Sequence, residues 1–189
     1  MGFLKKRSTA IGIFVVVVVL FTLLGSHMSL DRACRKAEEA FFDASLLQAE
    51  DYYTCPGDQL EYCVGYATRL LTVIGQDGDW ADAYEALSQA RRGLMDALES
   101  RDIPTIGQAD QALAEAVQMV EATAEAGAPL PDSYDDYDAI VSEFHSAQAV
   151  LDDPAYSEHI LAFREDVLGA FPANILRHLT GVKAPETFP

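Results

Sequence analysis

A chain of 189 residues with 13 Lys and Arg against 30 Asp and Glu has a formal charge of −17. All the acids follow residue 30 and only Lys5, Lys6 and Arg7 are basic before it, so the remainder stands at −20. A surface that negative repels phosphate backbones, which excludes nucleic-acid binding through a basic face, while 50% apolar residues suffice for a core.

The first predicted element is a membrane anchor. Residues 1–9 are a short basic tail, and Ala10 to Gly25, "AIGIFVVVVVLFTLLG", is a run of 16 residues without a charge. Crossing hydrocarbon takes about 20 apolar residues, and Ser8 to Met28 remains uncharged, so residues 10–29 are read as a transmembrane helix. The rival is a cleaved signal peptide, which needs small residues one and three positions before the cut. The pairs near Leu23 to Ser29 put Leu or His at one of them. Lys5, Lys6 and Arg7 abut the run with no acid to dilute them, whereas Arg32, Arg35 and Lys36 follow Asp31. The expectation is a single-pass protein of the cell membrane with a cytoplasmic N-terminus and an exported domain.

Beyond the anchor, Leu30, Ala33, Ala37, Ala40, Ala44 and Leu47 recur at steps of three and four. They predict an amphipathic helix continuous with the anchor to about Tyr53. "TCPGD" breaks it, and Asp58 is the expected cap of a second helix carrying Leu60, Cys63, Val64, Ala67, Leu70, Leu71 and Ile74. "GQDGDW" is a kink or short loop, after which Trp80, Tyr84, Leu87, Leu94 and Leu98 continue the pattern until Pro104 stops it. Thr105 with Gln108 reads as a capping box opening a third helix with Ile106, Ala109, Leu113, Ala116, Val117 and Val120. "AGAPLPDS" is a turn. A fourth helix carries Tyr137, Ile140, Val141, Phe144, Ala147 and Leu151; "DDP" supplies a capping aspartate and Pro154 as a first helical residue. Tyr156, Ile160, Phe163, Val167 and Ala170 then lead to Phe171. Strand patterns are almost absent. The expected fold is all-α: an N-terminal transmembrane helix, an antiparallel bundle of about four long helices over residues 30–171, and an irregular C-terminal strap, residues 172–189. Phe171, Ile175, Leu179, Val182 and Phe188 are expected to lie over an open end or groove of the bundle.

Chemistry-bearing constellations are sparse. Cys55 and Cys63 bracket "PGDQLEY" and are the candidate disulfide, closing a helix-to-helix junction; the alternative makes them, with Cys34, small buried residues. No Cys-x-x-Cys pair offers zinc its minimal ligand spacing. His27, His145, His159 and His178 do not complete the Glu-x-x-His pattern of a di-iron bundle. Asp77, Asp79 and Asp82 in "DGDWAD" lack the glycine and closing glutamate of a calcium loop. Neither a nucleophile elbow nor a phosphate-cradling loop occurs. No catalytic residue, cofactor or metal is expected.

"YSEHILAFREDVLGAFPANILRHLTGVKAPETFP", Tyr156 to Pro189, resembles the C-terminal signature of the LemA family, bacterial proteins with an N-terminal membrane helix and a helical-bundle domain. In that family a helix bearing two Tyr-Asn pairs runs into Phe-Pro, a small polar stretch, a Gly-Phe and a final Phe. The corresponding residues are Tyr156-Ser157, Phe163-Arg164, Phe171-Pro172, Asn174, Gly181-Val182 and Phe188. "AYEALSQAR", ending in Ala90 and Arg91, is similar to a family helix that ends in Ala-Arg. Departures are the two missing asparagines, "DQLEYCVGY" in place of the family's Asp-Leu-Ile-Pro-Asn stretch, and a more acidic surface. The resemblance implies an anchored envelope protein with a non-catalytic interaction or scaffold role, touching the lipid bilayer through residues 10–29 and other membrane or envelope proteins. The alternative is an envelope sensor that binds a small cationic ligand or metal ion at acidic loops.

Overall fold

The structure is a computed structural model that describes residues 2–47, 55–76, 78–130 and 134–188. Among them every regular element is helical and no strand occurs. Seven helices follow in order among the described residues: α1 (Gly2–Glu39), α2 (Pro56–Ile74), α3 (Ala81–Ser100), α4 (Ile103–Glu125), α5 (Tyr134–Leu151), α6 (Ala155–Phe163) and α7 (Ala173–Thr180). The chain divides into two compact units, Met1–Glu39 with His159–Pro185, and Ala40–Glu158 with Glu186–Pro189.

The first unit is built on α1, a helix of 38 residues and hence about 57 Å long. Five consecutive valines, Val15 to Val19, are poor helix formers in water, yet a helix satisfies every main-chain N–H and C=O within itself, as an apolar medium demands. Thr22 follows the same rule, donating its hydroxyl to the Val18 carbonyl at 2.9 Å. Leu30 and Cys34, one turn apart on α1, form a small core with Leu168, and Phe163, Ala173, Leu176, Val182 and Ala184 pack around it. Arg164 ties the ends of this wrap together: its Nε donates to the Pro185 carbonyl at 2.8 Å, and a second guanidinium nitrogen donates to the same oxygen.

The predicted register fails near the end of α6 for a definite reason. Residues Arg164–Leu168 form a π turn, whose wider spacing buries Leu168, five residues after Phe163, and leaves the expected core residue Val167 39% exposed. The next segment is also corrected. What was expected to be irregular contains α7, which starts after the cis Phe171–Pro172 bond and ends where Gly181, at φ 71°, closes the helix by donating to the Arg177 carbonyl.

In the second unit α3 packs along α4, and α2 packs against both α5 and α3. Leu60, Cys63, Ala67 and Leu70 of α2, Leu87 and Leu94 of α3, Ile106, Leu113 and Val117 of α4, and Ile140 and Phe144 of α5 are buried. The helix boundaries follow local chemistry, but several differ from expectation. α1 ends at Glu39 rather than running toward Tyr53, which lies outside the described residues; a turn and a short 3₁₀ segment, Ala44–Leu46, follow, capped by the Asp43 carboxylate. α2 starts at Pro56, with Asp58 inside its first turn rather than capping it. Proline is at home there because its missing N–H would be unpaired anyway. Pro104 likewise stands inside the first turn of α4, capped by Asp102, whose carboxylate accepts from the Thr105 N–H at 3.3 Å. The break before it is made by Arg101 in the left-handed region at φ 55°.

Candidate functional site

Three features carry the chemistry of this chain: the apolar half of α1, the aromatic tail, and a buried polar cluster. Along α1 the large side chains from Ile11 to Phe21 are between 40% and 72% exposed among the described residues. The residues from Ala10 onward have the length and composition of a membrane-crossing helix, with a mean hydropathy of 2.4 over the most apolar 18 residues.

The aromatic tail ends in the second unit. Phe41 is fully buried and meets Phe42, Tyr156 and Phe188 with ring centroids 4.9, 5.1 and 5.2 Å away. Tyr156 donates its hydroxyl to the Glu186 carbonyl at 3.2 Å, and Ser157 donates to the Phe188 carbonyl at 3.1 Å, so residues 186–188 are hooked at two main-chain points. Gly57 completes this corner by donating its N–H to the Phe41 carbonyl at 2.9 Å.

The residues singled out by the family resemblance therefore separate. Tyr156 and Phe188 meet around Phe41; Phe163 lines the Leu30 core; Pro172 and Gly181 bound α7. The Asn174 amide oxygen is buried without a partner among the described residues. Ala90 is half-buried on α3, and Arg91 directs one guanidinium nitrogen at the Met95 sulfur, 3.2 Å away. Phe171, by contrast, is 80% exposed, and Ile175 and Leu179 are 52% and 65% exposed. These three do not cover a core as expected; α7 turns Ala173 and Leu176 inward instead.

The candidate disulfide is corrected by geometry. Cys55 is the N-cap of α2 and Cys63 lies on the same helix, eight residues on, about 12 Å along its axis, whereas a disulfide joins Cα atoms within about 7 Å. All three cysteines are free and buried. Burial raises each thiol above its ordinary value, and at Cys63 pushes it up to about 12, with the Asp110 carboxylate adding to the effect.

Cys63 belongs to a cluster that the sequence patterning missed. Gln148 on α5 donates through its amide nitrogen to Asp110 on α4 at 2.7 Å and faces the Cys63 sulfur on α2 at 3.7 Å. Asp110 is 9% exposed, and burial is the main cause raising its carboxyl above the usual range, opposed by the Gln148 hydrogen bond and reinforced by Asp152. A signal was present: Asp110 stands in phase with Ile106, Leu113 and Val117, an acid on an apolar stripe.

Other candidates are dispersed. His145 pairs through Nε2 with Glu121 Oε1 at 3.0 Å on the surface. Asp79 and Asp82 are exposed at the start of α3, where the helix dipole favours them, and Asp77 lies outside the described residues. Among the described residues no three His, Cys, Asp or Glu side chains gather as a metal site. A solvent-open cleft of about 20 Å³, room for roughly one water, lies among Leu47, Cys55, Gln59, Asp153 and Tyr156, far below the pockets that enclose drug-sized ligands.

No protein family matches the chain, and no match is found among the curated proteins or among the solved structures.

Proposed function

We propose that this chain is a membrane-tethered helical-bundle protein of LemA type, holding its acidic domain at the surface of the bacterial envelope as a non-catalytic interaction scaffold. The bundle in this reading is antiparallel, about four rods, with the domain exported and the N-terminus cytoplasmic. One observation carries the tether: the large apolar side chains of α1 from Ile11 to Phe21 are exposed among the described residues. Removing ten such side chains from water is worth on the order of 20 kcal/mol at about 1.5 to 3 kcal/mol each, more than the whole stability of most domains. A bilayer is the partner that recovers this energy along a single helix. The scaffold role rests on the family resemblance of the tail and on a surface whose exposed polar groups are scattered.

Alkaline extraction of membranes containing the full chain tests the tether. Retention in the pellet with an intact N-terminus is the expected result; release, or a mature N-terminus beginning near Ser29, overturns it. Crosslinking in intact membranes followed by purification tests the scaffold, which fails if the chain is recovered without a stoichiometric protein neighbour.

A further inference from the structure

We infer that α7 is a second membrane contact, an interfacial helix that lays Phe171, Ile175 and Leu179 into the headgroup region of the same bilayer that α1 crosses. The inference rests on the tether proposed above. Three independent observations support it.

The first is position. α7 packs on α1 through Leu176 and Ala173 against Leu30 and Cys34. Leu30 is itself the last uncharged residue before Asp31, and at about 1.5 Å per residue Cys34 stands about 6 Å beyond it. The headgroup layer on each face of a bilayer is about 5 to 7 Å deep, so a helix held at this level lies in or against it. The contact continues the surface that α1 already gives to lipid.

The second is the exposed apolar stripe. Ile175 and Leu179 are one turn apart on the face of α7 opposite its packed side, with Phe171 directly ahead of the helix. Uncovered groups of this size next to a membrane helix are how interfacial helices bind. The third is charge. From Val167 to Pro185 the chain has no Asp or Glu in 19 residues, the longest acid-free stretch after Asp31, and it carries Arg177, His178 and Lys183. A domain at −20 is repelled by anionic lipid, but screening limits that repulsion to about 10 Å, so a local acid-free, basic patch can approach phosphate headgroups. The acid-free stretch coincides with the apolar stripe.

The test uses the full chain in lipid nanodiscs, with phosphatidylcholine alone and with added phosphatidylglycerol. Single spin labels are placed at Leu179→Cys, at Phe21→Cys in the tether and at Glu85→Cys on exposed α3, and a chain without an added cysteine reports background labelling of the buried native thiols. Collision with oxygen, which concentrates in lipid, is compared with collision with a water-soluble nickel complex. The expected result is an oxygen-to-nickel ratio at position 179 several-fold above that at position 85 and below that at position 21, rising with phosphatidylglycerol. A ratio at 179 equal to that at 85, with position 21 still lipid-exposed, overturns the interfacial helix and leaves the tether standing. Nickel access at position 21 overturns both. Shielding of position 179 from both reagents assigns the stripe to a second copy of the chain and overturns the lipid contact.

Discussion

Asp110 occupies a buried position on α4 where burial opposes its charge and one neutral amide, that of Gln148, supplies the hydrogen bond. Its carboxyl is raised, so the folded chain binds this proton more tightly than the unfolded chain does. The contribution of Asp110 to stability is therefore greatest below its unfolded value and declines as pH rises through the folded one. Asp110→Asn keeps an oxygen for Gln148 without the charge. It is expected to equal or exceed the parent in stability at neutral pH, with the advantage shrinking on acidification by at most about 1.4 kcal/mol per pH unit. Urea titrations at several pH values read this directly, and an advantage that widens toward acid would contradict the sign. The cysteines give a second expectation at this scale. Free, buried and raised, Cys34, Cys55 and Cys63 should resist a maleimide while the chain is folded. All three should label after denaturation without reductant, and mass spectrometry counts the adducts.

At the scale of elements, the stripes of α2, α4 and α5 were legible because a helix with one buried face repeats at three and four residues, and Leu60, Leu113 and Ile140 fall on that repeat. The ends of helices were less legible. Pro56 and Pro104 read as stops in the sequence but stand in first turns, since proline breaks a helix only where its missing N–H and ring are felt. The π turn of Arg164–Leu168 left no local mark; it shifts burial from Val167 to Leu168, a choice made by packing on α1. Gly169 follows that turn with a tight fit, because a Cβ there would stand 2.5 Å from the Glu165 carbonyl oxygen. Gly169→Ala is thus expected to cost about 1 to 3 kcal/mol, as overpacking does, and to loosen residues 159–185. Hydrogen exchange of the amides of α7 would show it, and unchanged protection there would refute the claim.

At the scale of the whole chain, helical class and the apolar segment were plain from composition and period, while the buried cluster of Cys63, Asp110 and Gln148 was not. Its members are 38 and 85 residues from Gln148 in sequence, and only the packing of α2, α4 and α5 brings them together. The exposed stripe on α7 was hidden for the opposite reason. Apolar residues in a short segment look the same whether or not they face a core, and only the packing of Ala173 and Leu176 beside Leu30 and Cys34 leaves Ile175 and Leu179 exposed. The last residues show how far a terminus matters. Deleting 186–189 removes the Phe188 ring from Phe41 and two carbonyl acceptors from Tyr156 and Ser157. Phe188 is only half-buried, so its share of apolar burial is reduced, and two hydrogen bonds at about 1 kcal/mol each bring the expected loss to about 2 to 4 kcal/mol. A Phe188→Leu variant, which keeps the main-chain acceptors, should recover the larger part. Denaturant midpoints of the parent, truncated and Phe188→Leu chains measured side by side decide the matter. Should the truncated chain unfold at the same midpoint as the parent, the tail is no brace for Phe41.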